Sequence, residues 1–190
     1  ISEENNEYPF AGYKDVLNYI YNQVREQSTP DVLDIGFGTG VLTTQLYNIG
    51  CNITGIDFSR NMIDIAKKKM PDALLVNWDF TKGLPEEIKN CKFDYIISTY
   101  ALHHLTDEEK IRFIKSLLNR LNANGKILVG DVSFETKKEL KECNNRYKEI
   151  WDNDEVYFAA DELKMAFADT CYCTYNKISH CAGVLTLTNR

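Results

Sequence analysis

The sequence predicts an α/β fold in which helices cover both faces of a mostly parallel sheet of seven strands. Short apolar stretches alternate with longer amphipathic ones between residues 32 and 133, which indicates successive strand–helix units. Some of the short stretches, such as residues 95–97 and 127–129, are apolar at every position, as expected of parallel strands buried on both faces. Right-handed crossovers between such strands give a doubly wound, Rossmann-like sheet.

The individual elements follow from the same pattern. A first helix is expected over residues 10–27, where apolar side chains recur on one face until Ser28-Thr29-Pro30 ends it. The alternating part then has strands at 32–37, 52–58, 73–78, 93–99 and 126–133, helices at 39–49, 60–69 and 106–121, and a short helical turn near 86–90. Helices at 136–150 and 160–169 follow, and the last two strands, 172–179 and 183–188, are linked so closely that they must form an antiparallel hairpin.

Length and composition bound the organisation of the chain. Its 190 residues fit one domain over residues 1–190, with residues 1–30 as an N-terminal helical segment. Because the chain starts at Ile1, we expect further residues upstream. The net charge of −6 disfavours nonspecific nucleic-acid binding. The six cysteines lack zinc-site spacing and no long apolar run or signal peptide is present, so we expect reduced thiols, no membrane association and a cytoplasmic location.

The most informative motif lies where the first strand ends. Residues 32–40 read Val-Leu-Asp-Ile-Gly-Phe-Gly-Thr-Gly, so that Gly36, Gly38 and Gly40 follow an apolar run that contains Asp34. Glycines let the backbone lie directly against a ligand, and a Cβ at Gly36 or Gly38 is expected to project toward it. The next strand ends in Asp57, an acid placed for the two hydroxyls of a ribose. Together the two motifs predict a bound adenosyl group.

Two other interpretations compete with this one. A dinucleotide fingerprint of the form G-x-G-x-x-G needs glycine at position 41, where this chain has Val41, so a nicotinamide cofactor is the second choice. A tight strand-to-helix turn without a ligand would explain the glycines alone, but it leaves Asp57 unexplained.

The sequence resembles the class I S-adenosylmethionine-dependent methyltransferases along nearly its whole length. Four segments match in the expected order: residues 32–40, the ribose-acid motif 55–59, the adenine motif 77–80 and the fourth-strand motif 93–105. Residues 98–110 and 125–135 are especially similar to the YrrT-type bacterial methyltransferases. The resemblance implies S-adenosylmethionine as cofactor and a small-molecule methyl acceptor.

The resemblance also implies roles for individual residues. Gly36, Gly38 and Gly40 line the cofactor, Asp57 accepts from the ribose hydroxyls, Asp79 accepts from the adenine amino group, Asp34 orients the methionine end, and Phe80 and Met62 flank the adenine ring. Phe58 and Ser98, which belong to two of the motifs, are assigned to the cofactor site as well. Tyr13 resembles a tyrosine of the family's first helix. For Met62 and Tyr13, simple packing is the open alternative.

Differences from the motifs of related enzymes narrow the range of possible methyl acceptors. Residues 98–101 read Ser-Thr-Tyr-Ala, so the Asn/Asp-Pro-Pro-aromatic turn of amino-methylating DNA enzymes is missing, as is the acid of aminopropyltransferases. Metal-dependent catechol enzymes need clustered carboxylates, and only Asp131 is suitably located, so no metal is expected.

The chemistry expected is direct in-line methyl transfer that releases S-adenosylhomocysteine. A thiolate or neutral amine acceptor needs no general base. For a hydroxyl or a protonated amine, His103 is the candidate base, since it follows the fourth strand at the ligand crevice. The alternative is that the rings of His103 and His104 hydrogen-bond backbone. A non-catalytic S-adenosylmethionine sensor and an NAD-dependent reductase remain the alternative functions, and neither the acceptor nor the oligomeric state is predicted.

Overall fold

The computed structural model describes residues 7–190, so the first six residues of the predicted N-terminal segment lie outside the described part of the chain. In chain order the elements are α1 (Tyr13–Val24), β1 (Asp31–Ile35), α2 (Val41–Asn48), β2 (Asn52–Asp57), α3 (Arg60–Lys69), β3 (Leu74–Asn77), β4 (Phe93–Thr99), α4 (Asp107–Leu118), β5 (Leu121–Phe134), α5 (Lys137–Arg146), β6 (Phe158–Ala159), α6 (Ala160–Phe167), β7 (Tyr172–Lys177) and β8 (Ala182–Thr188). None of the helices within residues 7–190 has the length and apolar character needed to cross a membrane.

The strands form one twisted layer whose order is β3-β2-β1-β4-β5-β8-β7. Strands β1 to β5 are parallel, whereas β8 runs antiparallel to both β5 and β7. The predicted parallel sheet closed by an antiparallel hairpin is therefore confirmed. Because β1 is flanked by β2 on one side and β4 on the other, the chain changes direction there, and a crevice opens beyond the carboxyl ends of β1 and β4.

Two apolar layers enclose the sheet. On one face α1, α2 and α3 pack on the strands through residues such as Ile20, Leu46 and Ile63. On the other face α4 and α6 bury residues such as Ile114 and Phe167. Close approach of α1 depends on the absence of a side chain in β5, because a Cβ at residue 130 would lie 2.5 Å from Val16 Cγ1. This packing places α1 beside the crevice.

Helix caps explain why several helices begin where they do. Ser59 accepts from the Met62 N–H at the start of α3, and Thr106 forms a reciprocal capping box with Glu109 at the start of α4. The Ser59 cap starts α3 directly after the end of β2, and the Thr106 cap starts α4 after the loop that follows β4. Both of those strand ends belong to the crevice.

The structure differs from the sequence prediction at several elements, among them α5, which ends at Arg146 rather than at residue 150. The short helical turn predicted near residues 86–90 forms as two successive hydrogen-bonded turns, in which the Ile88 and Cys91 N–H groups donate three residues back, and not as a regular helix. A short 3₁₀ helix forms earlier instead, at Phe80–Lys82, because the Asp79 carboxylate caps it at the Thr81 N–H. Strand β5 starts at Leu121 rather than 126, and the two-residue strand β6 pairs with its far end.

Candidate functional site

The glycine loop lies at the carboxyl end of β1, as predicted. Gly36, Gly38 and Gly40 have φ values of 70°, 56° and 72°, a conformation that side chains other than glycine rarely adopt. We expected glycine at position 36 because a Cβ there would project toward a ligand, and this reason is wrong. A Cβ added at Gly36 would instead lie 2.5 Å from the Ala101 Cβ. At Gly38 a Cβ would meet nothing within 4 Å, so this part of the loop presents bare backbone to open space.

The carboxylate of Asp57 faces this loop. One oxygen accepts from the Gly38 N–H at 2.9 Å and the other accepts from the Ser59 N–H at 2.8 Å. The residue is only 4% exposed, so its carboxylate is held against the loop and away from bulk solvent. A carboxylate has about four acceptor positions, and two remain for ligand hydroxyls.

Asp34 is more deeply buried, at 1% exposure. Its Oδ2 accepts from the Thr43 hydroxyl at 2.6 Å, but Oδ1 has no hydrogen-bond partner within the described chain. Burial raises the pKa of Asp34 to about 7, the Thr43 hydrogen bond opposes this shift, and the charge of Asp57 adds to it. A buried carboxylate oxygen without a donor is costly, so this atom is suited to a donor supplied by a ligand.

A second part of the crevice lies beyond β2 and β3. Here Phe58, Asp79, Phe80, Thr81 and His104 line an open, mainly apolar cavity of about 440 Å³. Phe58 is 66% exposed and therefore available to contact a ligand. The Asp79 carboxylate accepts from Thr81 through both its N–H and its hydroxyl, and the Thr81 hydroxyl bond is the main reason that the pKa of Asp79 is lowered.

The remaining residues assigned to the cofactor occupy different environments. Phe80 is nearly buried and stacks on Phe113 with ring centroids 5.9 Å apart, so it forms the floor of this cavity. Ser98 is also buried, and its hydroxyl donates to the Ile35 carbonyl at 3.0 Å, which ties the end of β4 to the end of β1. Met62 lies half-buried in the first turn of α3, directly after the Ser59 cap. His104 was not assigned to this cavity from the sequence.

A third cavity, of about 190 Å³, joins the glycine loop to α1. It is lined by residues of α1, the loop, α2 and the end of β4, among them Tyr13, Asp34, Gly38 and Tyr100. Tyr13 therefore lies beside the glycine loop and not only within the packing of α1. Tyr100 follows β4 directly and has φ 51°, a strained conformation for a bulky residue, and its buried hydroxyl lacks a hydrogen-bond partner among residues 7–190.

The imidazole of His103 lies between two carboxylates. Its Nδ1 is 2.7 Å from Asp131 Oδ1 and its Nε2 is 3.3 Å from Glu155 Oε1. The expectation that this ring hydrogen-bonds backbone is wrong, because both ring nitrogens face side-chain oxygens. Burial by itself lowers the pKa of His103, but the Asp131 hydrogen bond and the charges of Asp131 and Glu155 outweigh it and raise the pKa above its ordinary value.

The same cluster fastens the segment after α5 to the end of β4. The His103 carbonyl accepts from the Val156 N–H, and the buried Lys110 ammonium donates to the carbonyls of Leu105 and Val156. Glu155 in turn accepts from the Tyr157 hydroxyl, which is 2.8 Å from the Tyr8 hydroxyl. Sequence reasoning missed this network because it joins residues that are far apart in the chain and carry no common motif.

The family model and the curated relatives that match this chain are methyltransferases. A methyltransferase-domain family model matches residues 32–125. A curated uncharacterized methyltransferase of Oceanobacillus iheyensis is 42% identical over 135 residues, which cover 67% of this chain and 60% of the relative. One from Bacillus mycoides is 34% identical over 95% of this chain and 86% of the relative. The chain thus spans 60% of the length of the Oceanobacillus relative and 56% of that of a further relative from Bacillus cytotoxicus, compared with 86% of the Bacillus mycoides protein.

Solved structures show the same fold at low identity. The complex of DhpI with S-adenosylhomocysteine superposes with a TM-score of 0.69 at 18% identity, covering 95% of this chain and 88% of that one. Magnesium protoporphyrin IX methyltransferase from Synechocystis, with bound S-adenosylmethionine, gives a TM-score of 0.70 at 16% identity and covers 95% and 81% of the two chains.

Proposed function

This chain belongs to the class I S-adenosylmethionine-dependent methyltransferases, and on that basis we propose that it transfers the methyl group of S-adenosylmethionine to a small-molecule acceptor and releases S-adenosylhomocysteine. The observation that carries the proposal is the buried Asp57 carboxylate facing the bare backbone at Gly38. That pairing provides acceptors for a ribose and clearance for the atoms that follow it.

The residues on either side of Asp57 fit the rest of the cofactor. The cavity of Phe58, Asp79, Phe80 and His104 supplies aromatic walls and a carboxylate for an adenine ring and its amino group. On the opposite side the unpartnered Asp34 Oδ1 fits the ammonium of the methionine end. We assign Met62 and Ser98 to the same site from their places in the first turn of α3 and at the end of β4.

Methyl transfer from a sulfonium depends mainly on the alignment of the methyl donor with the acceptor. When bound, S-adenosylmethionine supplies a methyl group on a positively charged sulfur, which is a good leaving group. The glycine loop, Asp57 and Asp34 fix the donor, and alignment of the reacting atoms alone is worth about 7–11 kcal/mol. A thiolate or neutral amine then attacks in line without a general base.

The geometry around His103 supports a positioning role more than a role as general base. Its two ring nitrogens are engaged by Asp131 and Glu155, and the raised pKa favours the protonated ring, which cannot accept a proton. We therefore assign His103 the task of positioning the segment around Glu155 beside the end of β4. A role as base requires Glu155 to move away from Nε2.

The test is release of S-adenosylhomocysteine from methyl-labelled S-adenosylmethionine, screened over thiols, amines and hydroxylated metabolites. We expect turnover with one class of acceptor. Tight binding of the cofactor without turnover across the panel contradicts the proposal and favours a sensor. A cytoplasmic location, a lack of nucleic-acid binding and a metal-free reaction remain predictions of the sequence.

A further inference from the structure

Tyr100 occupies a position in the crevice that packing alone does not explain. It follows the last residue of β4 and holds a left-handed backbone conformation, φ 51°, fixed by its N–H, which donates to the Gly130 carbonyl at 2.8 Å. Positive φ in a bulky residue is a strained state that persists only where the surroundings impose it, and such residues concentrate at ligand sites.

The hydroxyl of Tyr100 adds a second anomaly. It is buried, yet it has no hydrogen-bond partner in the described part of the chain. Burial raises the pKa of Tyr100, and the nearby charge of Asp131 raises it further, so the side chain is a neutral phenol. An uncharged ring with an electron-rich face, and not a base, is what Tyr100 offers to a ligand.

The ring of Tyr100 is paired with that of Tyr13. The two centroids are 4.9 Å apart with the planes tilted by 40°, and both residues line the 190 Å³ cavity that also contains Asp34, Gly36 and Gly38. In the proposed function the ribose lies at Asp57 and the methionine end at Asp34. The sulfur joins these two parts, so it crosses the glycine loop in the cavity that the two tyrosines line.

We propose that the Tyr13–Tyr100 pair is a sulfonium-recognition wall, which binds the positively charged sulfur of S-adenosylmethionine through the faces of its rings. Aromatic faces attract cations, and the attraction grows when both partners are removed from water. The uncharged thioether of S-adenosylhomocysteine lacks this attraction, so the pair favours the methyl donor over its product. This inference rests on the proposed function and assigns Tyr100 within it.

The experiment compares two dissociation constants, for S-adenosylmethionine and for S-adenosylhomocysteine, by calorimetry on the same protein. Both molecules carry the same adenosine, ammonium and carboxylate, so the ratio of the two constants cancels the hydrogen bonds that Asp57 and Asp34 make to these shared groups. The attraction of the two carboxylates for the sulfonium is the same in the wild type and in each tyrosine variant, so a change in the ratio reports on the aromatic pair. We expect Tyr100→Leu and Tyr13→Leu each to reduce the preference for S-adenosylmethionine by about threefold to thirtyfold. Tyr21→Leu, an equal change elsewhere on α1, should leave the ratio as in the wild type.

Conservative replacements keep the test decisive if a leucine variant does not fold. Tyr100→Phe removes a hydroxyl that has no partner, so it should fold normally and retain the preference. Phenylalanines with one, two and three fluorines at position 100 should then lower the preference stepwise as the ring face loses electron density. An unchanged ratio across Tyr100→Leu or the fluorinated series overturns the inference while leaving the proposed function intact. Failure of the wild type to bind either molecule overturns both.

Discussion

At the scale of single residues, Asp57 has the largest expected effect on cofactor binding. Replacing it by alanine removes the ribose acceptors and frees the Gly38 N–H, and hydrogen bonds to a charged group are worth about 1.5–3 kcal/mol each. We expect Asp57→Ala to weaken S-adenosylhomocysteine binding by about 2–4 kcal/mol, roughly 30- to 1,000-fold, measured by calorimetry.

The matched control for this prediction is Asp64→Ala, which removes an exposed carboxylate from α3, the helix that follows Asp57. It should bind S-adenosylhomocysteine as the wild type does. Wild-type affinity in a folded Asp57→Ala protein would show that the ribose does not lie at this carboxylate.

Asp34 gives a prediction about stability and pH. Burial raises its pKa from 3.8 to about 7 in the folded protein, so the folded state binds the proton more tightly than the unfolded state. Its contribution to stability is therefore fully present below about pH 4 and is lost as the pH rises through about 7. Asp34→Asn should raise the free energy of unfolding at pH 8 by about 2–4 kcal/mol relative to the wild type and flatten this part of the pH dependence.

Urea unfolding between pH 5 and pH 8 measures this effect. Asp94→Asn provides a control of opposite sign: burial raises its pKa, but hydrogen bonds from the Asp31 N–H and from Asn122 outweigh burial and lower it. That substitution should reduce stability at pH 8. Equal stability of Asp34→Asn and the wild type at every pH would mean that Asp34 is not held in a dry environment.

At the scale of elements, Lys110 links α4 to the segment that precedes β6. Its side chain is 1% exposed, and the ammonium donates to the carbonyls of Leu105 at 2.7 Å and Val156 at 2.6 Å. Lys110→Met leaves both carbonyls without that donor, so we expect a loss of about 2–4 kcal/mol in the free energy of unfolding, together with faster amide exchange of Val156.

The same helix offers a control in Lys115, whose side chain is exposed. Lys115→Met should change neither the stability nor the exchange rate appreciably. If Lys110→Met exchanges at Val156 as slowly as the wild type, the segment is fastened by the His103 contacts alone.

Elements whose local chemistry is complete were predictable from the sequence. Helix α3 matches its predicted bounds because the Ser59 cap starts it, and β4 matches because residues 95–97 form a buried apolar run at its centre. The start of β5 was missed because Asn122, Asn124 and Gly125 are typical of a turn, yet backbone pairing with β4 begins at Leu121. The two-residue strand β6 has no periodicity to detect and exists only because it pairs with β5.

The residues of the candidate site likewise include some that were predictable from the sequence and some that were not. The glycine loop and Asp57 were predictable since each follows a strand in the sequence and needs no distant partner. The contact between His103 and Glu155 joins segments 52 positions apart, and the left-handed backbone of Tyr100 depends on its bond to Gly130 in the neighbouring strand. Such features arise from tertiary packing, and no local sequence pattern predicts them.

At the scale of the whole molecule, the sheet assembles one crevice from parts that are individually incomplete. Strand β1 contributes the loop, β2 the Asp57 carboxylate, the segment after β3 Asp79, and the end of β4 both Tyr100 and His103. Because these strands are parallel neighbours, all of their carboxyl ends meet at one edge of the sheet. In the proposed function, a single adenosyl ligand with a charged tail spans these parts in the order in which the sheet presents them.

The most direct test of that claim is calorimetry of the wild-type protein with S-adenosylhomocysteine and, separately, with NAD. The account predicts saturable one-to-one binding of S-adenosylhomocysteine and no comparable binding of NAD. Saturable binding of NAD alone would contradict it.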